Sequence, residues 1–271
     1  MSCFDFVVTD LDGTLFYDRE NICDRDRDAL HRLKAQGIRC AIATGRELDA
    51  VVPAFDRLNL WDDFTHIIHS GGAGVYTIAT RENQMTGMLS IETLCEIFDR
   101  YVDLGLSFVL PMDGKLYVSR RTSLLENEAR LLCYPLVEVP DLKTIIYKPM
   151  NKIVLNAPFE DIDRALPILT ADTDPRYQWH RSHDNYIDCY ARGISKGTAL
   201  TALCETLGID PARTLAIGDN ENDIQLLDAA GTSACPADGT DPAKAHADYV
   251  CCPAHEGAFA DMCEHYIFEK D

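Results

Sequence analysis

Apolar residues in the first third of the chain occur in short runs that amphipathic stretches separate. The segments 6–8, 38–43 and 66–70 predict buried strands, because a strand covered on both faces needs apolar residues along its length. Helices are predicted at 24–36, with the first residue as N-cap and a glycine after the last, and at 47–58. Alternation of strand and helix predicts βαβ units and therefore a parallel, doubly wound sheet.

The middle of the chain has the alternating pattern typical of antiparallel strands. Residues 107–119 predict a hairpin with its turn at 112–114. Two helices are predicted beside the strands, from 91 to about 104 and at 159–169. We therefore expect an α+β domain over residues 81–188, inserted into the rest of the chain.

The last third returns to alternating helix and strand. Residues 195–208 predict an amphipathic helix that closes on a glycine, and the apolar segment 214–219 predicts a strand that ends in an acid. We expect an α/β fold in which residues 1–80 and 189–271 form one Rossmann-like core domain with a doubly wound parallel sheet, into which the 81–188 domain is inserted.

Composition and charge narrow the classes of function. The 271 residues carry a formal net charge of −19, so the chain lacks the clustered cations that bind nucleic acid, and it would repel anionic membranes. Its 11 cysteines lie mostly among apolar neighbours with no CxxC motif, which predicts buried reduced thiols rather than a disulfide scaffold. No signal peptide or membrane span is evident. We expect a cytoplasmic monomer or homodimer.

Acidic and polar residues follow three of the predicted strands. Asp10 and Asp12 follow the first strand, Thr44 follows the second, and Asp219 follows the strand at 214–217, while Lys196 begins a helix. Ligands of open parallel sheets bind beyond the carboxyl ends of the strands. One strand that ends in aspartate is commonplace, but this combination favours an active site.

These residue types suit phosphoryl transfer. A carboxylate nucleophile can form an acyl phosphate and divide a difficult hydrolysis into two displacements. A second carboxyl group can protonate the leaving oxygen and later deprotonate water. A hard metal ion with oxygen ligands and a lysine would offset the charge of the transferring group. Such local cations would also overcome the repulsion between this acidic chain and an anionic substrate.

Four short segments resemble the motifs of a known family, the haloacid dehalogenase-like phosphatases. The segments match its four motifs in order: DLDGTL (10–15), TGR (44–46), SKG (195–197) and GDNEND (218–223). The long insert looks like the type-2 cap of the Cof-type sugar-phosphatase branch. The late segment HEGAFADM (255–262) is similar to the closing segment of that branch. The resemblance implies a core domain with an inserted cap domain.

The resemblance also implies a role for each residue. Asp10 would be the nucleophile that becomes aspartyl-phosphate, Asp12 would be the general acid/base, and Lys196 would neutralise the nucleophile and the phosphoryl group. The residues expected to bind the substrate phosphate are Thr44, Gly45, Arg46, Lys196 and Asn222. For Arg46, pairing with a nearby acid is an equal alternative. The residues expected to bind Mg²⁺ are Asp10, Asp12 through its backbone carbonyl, Asp219 and Asp223.

One position departs from the family pattern. Relatives usually have Asn-Gly-Ala after the third strand, where this chain has Gly71 in place of the asparagine, so a substrate contact of that asparagine is not carried over. In the insert, His180, Arg181 and His183 lie near the tip of a predicted hairpin. They either contact the substrate or form a polar rim.

Three functions are compatible with these motifs. The leading hypothesis is a Mg²⁺-dependent phosphatase that acts on a small phosphorylated metabolite, most simply a sugar phosphate. A phosphomutase or phosphotransferase would use the same intermediate but pass the phosphoryl group to a second hydroxyl. A non-catalytic sensor of phosphorylated metabolites would retain the site without turnover, although an intact set of catalytic acids argues against it.

Overall fold

The computed structural model describes residues 4–268, which divide into two compact units. The first unit comprises residues 4–48, 54–84 and 195–268, and the second comprises 49–53 and 85–194. The α+β domain predicted at 81–188 overlaps the second unit, and its predicted boundaries remain a prediction.

An eight-stranded sheet forms the centre of the first unit. Its strands are β1 (Phe6–Thr9), β2 (Arg39–Ala43), β3 (His66–His69), β4 (Gly74–Thr77), β5 (Glu82–Met85), β12 (Thr214–Ile217), β13 (Thr232–Pro236) and β14 (Tyr249–Cys251). They lie in the order β14-β13-β12-β1-β2-β3-β4-β5. The pairs from β14 to β3 are parallel, and β4 runs antiparallel to β3. The predicted parallel sheet is therefore confirmed.

Helices cover this sheet. They are α1 (Asp24–Ala35), α2 (Leu48–Leu58), α6 (Lys196–Leu207), α7 (Ile224–Ala229), α8 (Asp241–Ala245) and α9 (Ala258–Tyr266). Leu200 and Leu203 of α6 pack in one apolar cluster with Phe6 and Val8 of β1. Val7 points to the other face of the strand and is also fully buried, so β1 is covered on both faces. Burial on both faces explains the unbroken apolar runs.

The predicted N-cap of α1 is wrong by one residue. Cys23 is the N-cap, and its sulfur accepts a hydrogen bond from the backbone N–H of Asp26. Asp24 is the first helical residue, where a carboxylate still interacts favourably with the helix dipole. Gly37 follows the helix with φ +74°, the left-handed conformation expected there.

The second unit is built on a six-stranded sheet. Its strands are β6 (Ser107–Met112), β7 (Lys115–Val118), β8 (Leu136–Glu138), β9 (Lys152–Asn156), β10 (Tyr177–His183) and β11 (Tyr186–Ala191), in the order β10-β11-β9-β6-β7-β8. The predicted hairpin is confirmed as β6–β7. Its two turn residues, Asp113 and Gly114, both have positive φ, as in a type I′ turn.

The two predicted helices and the antiparallel pairing are confirmed, but the unit has one further helix and one parallel strand pair. Three helices lie in this unit: α3 (Ile91–Tyr101), α4 (Ser123–Leu131) and α5 (Phe159–Thr170). Helix α4 was not predicted, since it is only nine residues long and buries only Leu125 and Ala129. Strand β8 pairs with β7 in parallel.

Six 3₁₀ helices complete the elements of residues 4–268. They are Ser70–Gly72, Val102–Leu104, Leu142–Thr144, Pro211–Arg213, Glu221–Asp223 and Ala254–Glu256. The Val102–Leu104 turn follows α3, which explains why the helical pattern extends to about residue 104. None of the described helices is long and apolar enough to cross a membrane.

The cysteines of the described chain form no disulfide. Six are buried, namely Cys40, Cys189, Cys204, Cys235, Cys251 and Cys263. Cys133 is exposed and Cys23, Cys95 and Cys252 are half-buried, so the expectation of buried thiols is wrong for these four. Cys3 lies outside the described residues.

Candidate active site

The site forms where β12, β1 and β2 end side by side. Asp10 directly follows β1, and its N–H donates to the carbonyl of Ile217 at 2.9 Å. Thr44 directly follows β2, and its N–H donates to the carbonyl of Ile68 at 2.8 Å. Because these strands are parallel neighbours, their carboxyl ends lie at the same edge of the sheet. This topology brings together residues that are far apart in sequence.

Lys196 connects two of the acids. Its Nζ lies 2.5 Å from Asp10 Oδ1 and 2.6 Å from Asp223 Oδ1, and all three side chains are buried. A cation at the first position of α6 is unfavourable in the field of the helix dipole. The two carboxylates offset this field and the cost of burial. Together, Asp10 and Asp223 keep the pKa of Lys196 above its usual value even though burial acts to lower it.

The start of α6 is held in place by a capping box. Ser195 Oγ accepts from the Thr198 N–H at 3.0 Å, and Thr198 Oγ1 accepts from the Ser195 N–H at 3.0 Å. Gly197 allows α6 to approach α7 closely, since a Cβ at this position would lie 1.9 Å from the carbonyl oxygen of Gln225 in α7. The Ser-Lys-Gly motif therefore fixes the position of the lysine.

Asp219 and Asp223 are arranged by the loop after β12. The N–H groups of Asp219 and Asn220 both donate to Asp223 Oδ2 at 3.2 Å. Thr14 Oγ1 donates to Asp219 Oδ1 at 2.9 Å. Gly13 has φ +83°, and a Cβ there would lie 2.6 Å from Asp219 Oδ2. Glycine is thus required both for the turn and for the close approach of Asp219.

Three carboxylates form a cluster that fits a divalent cation. Ligand atoms of Asp10, Asp219 and Asp223 lie within 4.8 Å of one another. Burial and the charge of Asp223 raise the pKa of Asp10 well above its usual value and that of Asp219 to about 7. Lys196 alone therefore does not balance the three acids, and a doubly charged cation would. Their oxygen-only donor set suits a hard ion such as Mg²⁺.

Asp12 has a separate set of partners. Arg46 Nε donates to Asp12 Oδ2 at 2.8 Å and Arg46 Nη2 donates to Asp12 Oδ1 at 2.5 Å, while Arg19 Nε lies 3.4 Å from the same oxygen. Burial raises the pKa of Asp12, but the two guanidinium groups outweigh it and hold the pKa below its usual value. Asp12 is therefore a carboxylate near neutral pH. Of the two alternatives for Arg46, pairing with an acid is the one observed in this structure.

The Thr44–Arg46 segment is shaped by hydrogen bonds to its own backbone and to the turn after β3. Thr44 Oγ1 accepts from the Arg46 N–H at 3.1 Å. The Gly71 N–H donates to the Thr44 carbonyl at 3.0 Å, and the Ser70 N–H donates to the Arg46 carbonyl at 2.8 Å. Gly71 has φ +66°, which glycine adopts without strain and asparagine tolerates. The backbone of this turn therefore accepts Gly71, and it would also accept the asparagine that the family resemblance leads us to expect there.

A family model matches residues 7–262, under the description haloacid dehalogenase-like hydrolase. The chain belongs to this family. The resemblance inferred from the four short motifs is thus confirmed, and the matched segment includes every site residue described above.

Relatives and solved structures support the assignment. A putative phosphatase of Bacillus subtilis, YxeH, is 28% identical over 233 residues, which cover 84% of this chain and 85% of the relative. The pyridoxal phosphate phosphatase YbhA of Escherichia coli is 26% identical over 260 residues, 90% of this chain and 92% of the relative. The structure of BT4131, a subclass IIB sugar phosphatase, superposes with a TM-score of 0.81 at 20% identity, over 97% of this chain and 98% of that one, which confirms the fold.

The hydrolase is a phosphatase of this family, the enzyme class that the motifs predict. Its structure brings the predicted Asp10, Lys196, Asp219 and Asp223 into direct contact or close proximity. Asn222 lies half-buried in the 3₁₀ helix beside Asp223. The catalytic, phosphate-binding and metal-binding roles of these residues remain predictions, as do those of Gly45, Asn222 and the backbone carbonyl of Asp12.

The three candidates in the insert lie on or at the end of β10, in the second unit. Burial lowers the pKa of His180. The Arg181 guanidinium lies 4.8 Å from the ring centre of Phe159, and its Nη1 lies 3.4 Å from Asp163 Oδ1. His183 is exposed at the rim. Arg181 thus has partners within its own unit, and a substrate contact by any of the three remains a prediction.

Sequence reasoning missed two residues of this site. Thr14 belongs to the first motif, where its hydroxyl would have been a candidate because it follows the two acids directly. Arg19 carried no signal, since it lies in a loop of mixed polar residues. Besides its own contact with Asp12, its backbone carbonyl accepts a hydrogen bond from Arg46 Nη2 at 2.7 Å. Arg19 therefore helps to orient the guanidinium group of Arg46.

Proposed function

We propose that the enzyme is a Mg²⁺-dependent phosphatase that hydrolyses small phosphorylated metabolites, in particular sugar phosphates, through an aspartyl-phosphate on Asp10. The observation that carries this proposal is the contact of one buried lysine with both Asp10 and Asp223, beside Asp219. A buried carboxylate held next to a cation at the edge of a parallel sheet supports a role as nucleophile, and the lysine can neutralise charge on the transferring group.

In the first displacement, Asp10 attacks phosphorus and the bond from phosphorus to the leaving oxygen breaks. The leaving oxygen takes a proton, which Asp12 supplies when it is protonated. Because Arg46 and Arg19 favour the carboxylate form of Asp12, protonation requires at least part of the Arg46 pairing to be released. Binding of an anionic phosphate near Arg46 would provide a competing partner for the guanidinium.

In the second displacement, water attacks the phosphorus of the aspartyl-phosphate and Asp10 is regenerated. Asp12, now a carboxylate, accepts the proton of the water, and inorganic phosphate is released. Throughout, Lys196 offsets charge on Asp10 and on the phosphoryl oxygens. Asp10, Asp219 and Asp223 would hold Mg²⁺, which when bound supplies further neutralisation of phosphoryl charge.

The substrate class has two kinds of support. The subclass IIB structure that shares the fold belongs to a sugar phosphatase, and the relative YbhA acts on pyridoxal phosphate. Both substrates are small phosphate monoesters with a polar organic part. Small phosphate monoesters of this kind are therefore the first substrates to test.

Phosphate release from a panel of phosphorylated sugars, nucleotides and cofactors, with and without Mg²⁺, tests the proposal. Wild type is expected to release phosphate only with Mg²⁺, and Asp10→Asn should lose at least about 10³-fold in kcat because the nucleophile is removed. Asp62→Asn, at an exposed aspartate, is the matched control and should retain activity.

The same panel separates the alternatives. An isomerised ester without free phosphate would identify a phosphomutase. Binding of esters without turnover by wild type would identify a sensor. Substantial phosphate release by the Asp10→Asn variant would contradict the nucleophile assignment.

A further inference from the structure

A chain of side-chain hydrogen bonds lies beside the Thr44–Arg46 segment. Ser70 Oγ donates to Glu47 Oε2 at 2.8 Å and lies 2.9 Å from His69 Nδ1. The other ring nitrogen of His69, Nε2, lies 2.8 Å from Asn83 Oδ1. We refer to Glu47, Ser70 and His69 as the relay. The motifs of the family do not include it, and the mechanism above does not use it.

Ser70 and His69 of the relay are buried and Glu47 is half-buried, so the hydrogen bonds among them matter energetically. Ser70 is fully buried, and only 2% of His69 is exposed. The Ser70 hydroxyl donates its single proton to Glu47, and the same oxygen lies within hydrogen-bond distance of His69 Nδ1. Buried polar groups are costly unless they are paired, so loss of one member leaves its neighbours unsatisfied.

Two local features indicate that the relay is maintained at a cost. Ser70 has φ +52°, a left-handed conformation that disfavours residues with a side chain, although glycines follow it at positions 71 and 72. Glycine would fit position 70 without strain. Glu47 is the N-cap of α2, yet its side chain makes no capping hydrogen bond, and its carboxylate is bound to Ser70 instead.

The relay joins the two segments that surround the phosphate-binding candidates. Glu47 directly follows Arg46 in the chain. The Ser70 N–H donates to the Arg46 carbonyl at 2.8 Å, and the next N–H, from Gly71, donates to the Thr44 carbonyl at 3.0 Å. The Thr44–Arg46 segment is thus held through its backbone and, one residue later, through the Glu47 side chain.

We propose that Ser70 and His69 are positioning residues, which hold Glu47 and thereby keep the Thr44–Arg46 segment in the conformation that binds substrate phosphate. This inference rests on the proposed function. His69 supports the Ser70 hydroxyl, the hydroxyl holds Glu47, and Glu47 anchors the end of the segment that carries Arg46. Without the relay, the segment would sample other conformations. Phosphate binding would then be weaker, because it would have to offset the entropy lost when the segment becomes ordered.

Ser70→Gly tests the proposal, because it removes the hydroxyl and relieves the backbone strain at the same time. Relief of the strain should offset the cost of the unpaired neighbours, so the free energy of unfolding should change by no more than about 1 kcal/mol. The KM for a phosphate ester and the inhibition constant of inorganic phosphate should both rise about tenfold, the loss expected for one hydrogen bond to a charged group, with a smaller change in kcat. A structural role alone would instead give lower stability or no kinetic change.

Arg81→Gly is the matched control. Arg81 is exposed and has φ +58°, so glycine relieves similar strain outside the relay. Its KM and phosphate inhibition should equal those of wild type. Within the relay, Glu47→Gln keeps an oxygen acceptor for Ser70 and should raise KM less than Glu47→Ala does.

Wild-type KM and phosphate inhibition in Ser70→Gly would overturn the proposal, as would a fall in kcat alone. If wild type releases phosphate from no ester, the proposed function fails, and calorimetric titration with inorganic phosphate still compares wild type with Ser70→Gly. Equal phosphate affinity in the two proteins would then overturn the relay, and weaker affinity in the variant would support it.

Discussion

At the scale of single residues, two acids that are two positions apart in sequence have opposite environments. Asp10 lies among other carboxylates, and its pKa is raised by burial and by Asp223. Asp12 is paired with Arg46 and Arg19, and its pKa is held low. The proposed nucleophile and the proposed proton carrier need different surroundings, and the turn after β1 provides them.

Asp26 is a buried acid outside the active site. Its side chain is fully buried, Oδ1 accepts from the Ala260 N–H at 2.8 Å, and Oδ2 has no hydrogen-bond partner within residues 4–268. Burial raises the pKa of Asp26 from 3.8 to about 6. The folded state therefore binds this proton more tightly than the unfolded state does. Stability from this group is present at low pH and is lost as the pH rises through about 6.

Asp26→Asn should remove this pH dependence, because the carboxamide keeps the acceptor for Ala260 and carries no charge. The free energy of unfolding of the variant, relative to wild type, should increase by up to about 3 kcal/mol between pH 4 and pH 7. Urea denaturation across this range measures it. Asp28→Asn, at an exposed position of the same helix, is the control. A difference independent of pH would contradict the raised pKa.

At the scale of elements, helix α6 carries the lysine of the site at its first residue. The capping box fixes where the helix begins, and Gly197 fixes how closely it approaches Gln225. Because Lys196 precedes this contact, a shift of the helix would move its Nζ away from the two carboxylates. The position of one functional atom thus depends on the packing of a whole helix.

Gly197→Ala and Gly208→Ala test this dependence at the two ends of α6. The first would place a Cβ 1.9 Å from a backbone oxygen, so stability should fall by about 2 kcal/mol or more, and kcat should fall as Lys196 shifts. The second has open space but φ +63°, so it should cost about 1 kcal/mol and leave kcat unchanged. Thermal unfolding measures the stability of the two variants, and steady-state kinetics measures their kcat. Equal kcat values for Gly197→Ala and Gly208→Ala would contradict the dependence of Lys196 on the packing of α6.

Sequence patterns predicted elements where local signals were strong. The buried strands β1, β2 and β12 have unbroken apolar runs, and the β6–β7 turn has Asp-Gly, which favours positive φ at both positions. Helix α4 was missed because its apolar stripe is short. The parallel pairing of β8 was missed because register between distant segments leaves no periodic signal.

At the scale of the whole molecule, a net charge of −19 opposes binding of an anionic substrate. The first unit contains cations where they are needed, since Lys196 contacts Asp10 and Arg46 contacts Asp12. The proposed Mg²⁺ would add two further positive charges. Its binding should therefore stabilise the folded protein as well as enable catalysis.

Mg²⁺ is expected to raise the unfolding midpoint of wild type, and EDTA should reverse the rise. At 100 times its dissociation constant, a ligand specific to the folded state contributes about 2.7 kcal/mol. Asp219→Asn should lose most of the effect, and Asp62→Asn should keep it. The effect should weaken below about pH 7, where protons compete for Asp219, whose pKa is raised to about 7. An equal rise of the unfolding midpoint in Asp219→Asn would contradict the assignment of Asp219 as a Mg²⁺ ligand.

Local patterns were enough to predict the buried strands β1, β2 and β12 and the motif residues, because each depends on periodicity or on a short segment. The contact of Lys196 with Asp10, 186 residues away, is visible only in the folded structure. The same holds for the contacts of Arg46 and Arg19 with Asp12. The folded structure also revealed the Glu47–Ser70–His69 relay. Such contacts depend on the path of the chain between distant segments, and no single stretch of sequence indicates that path.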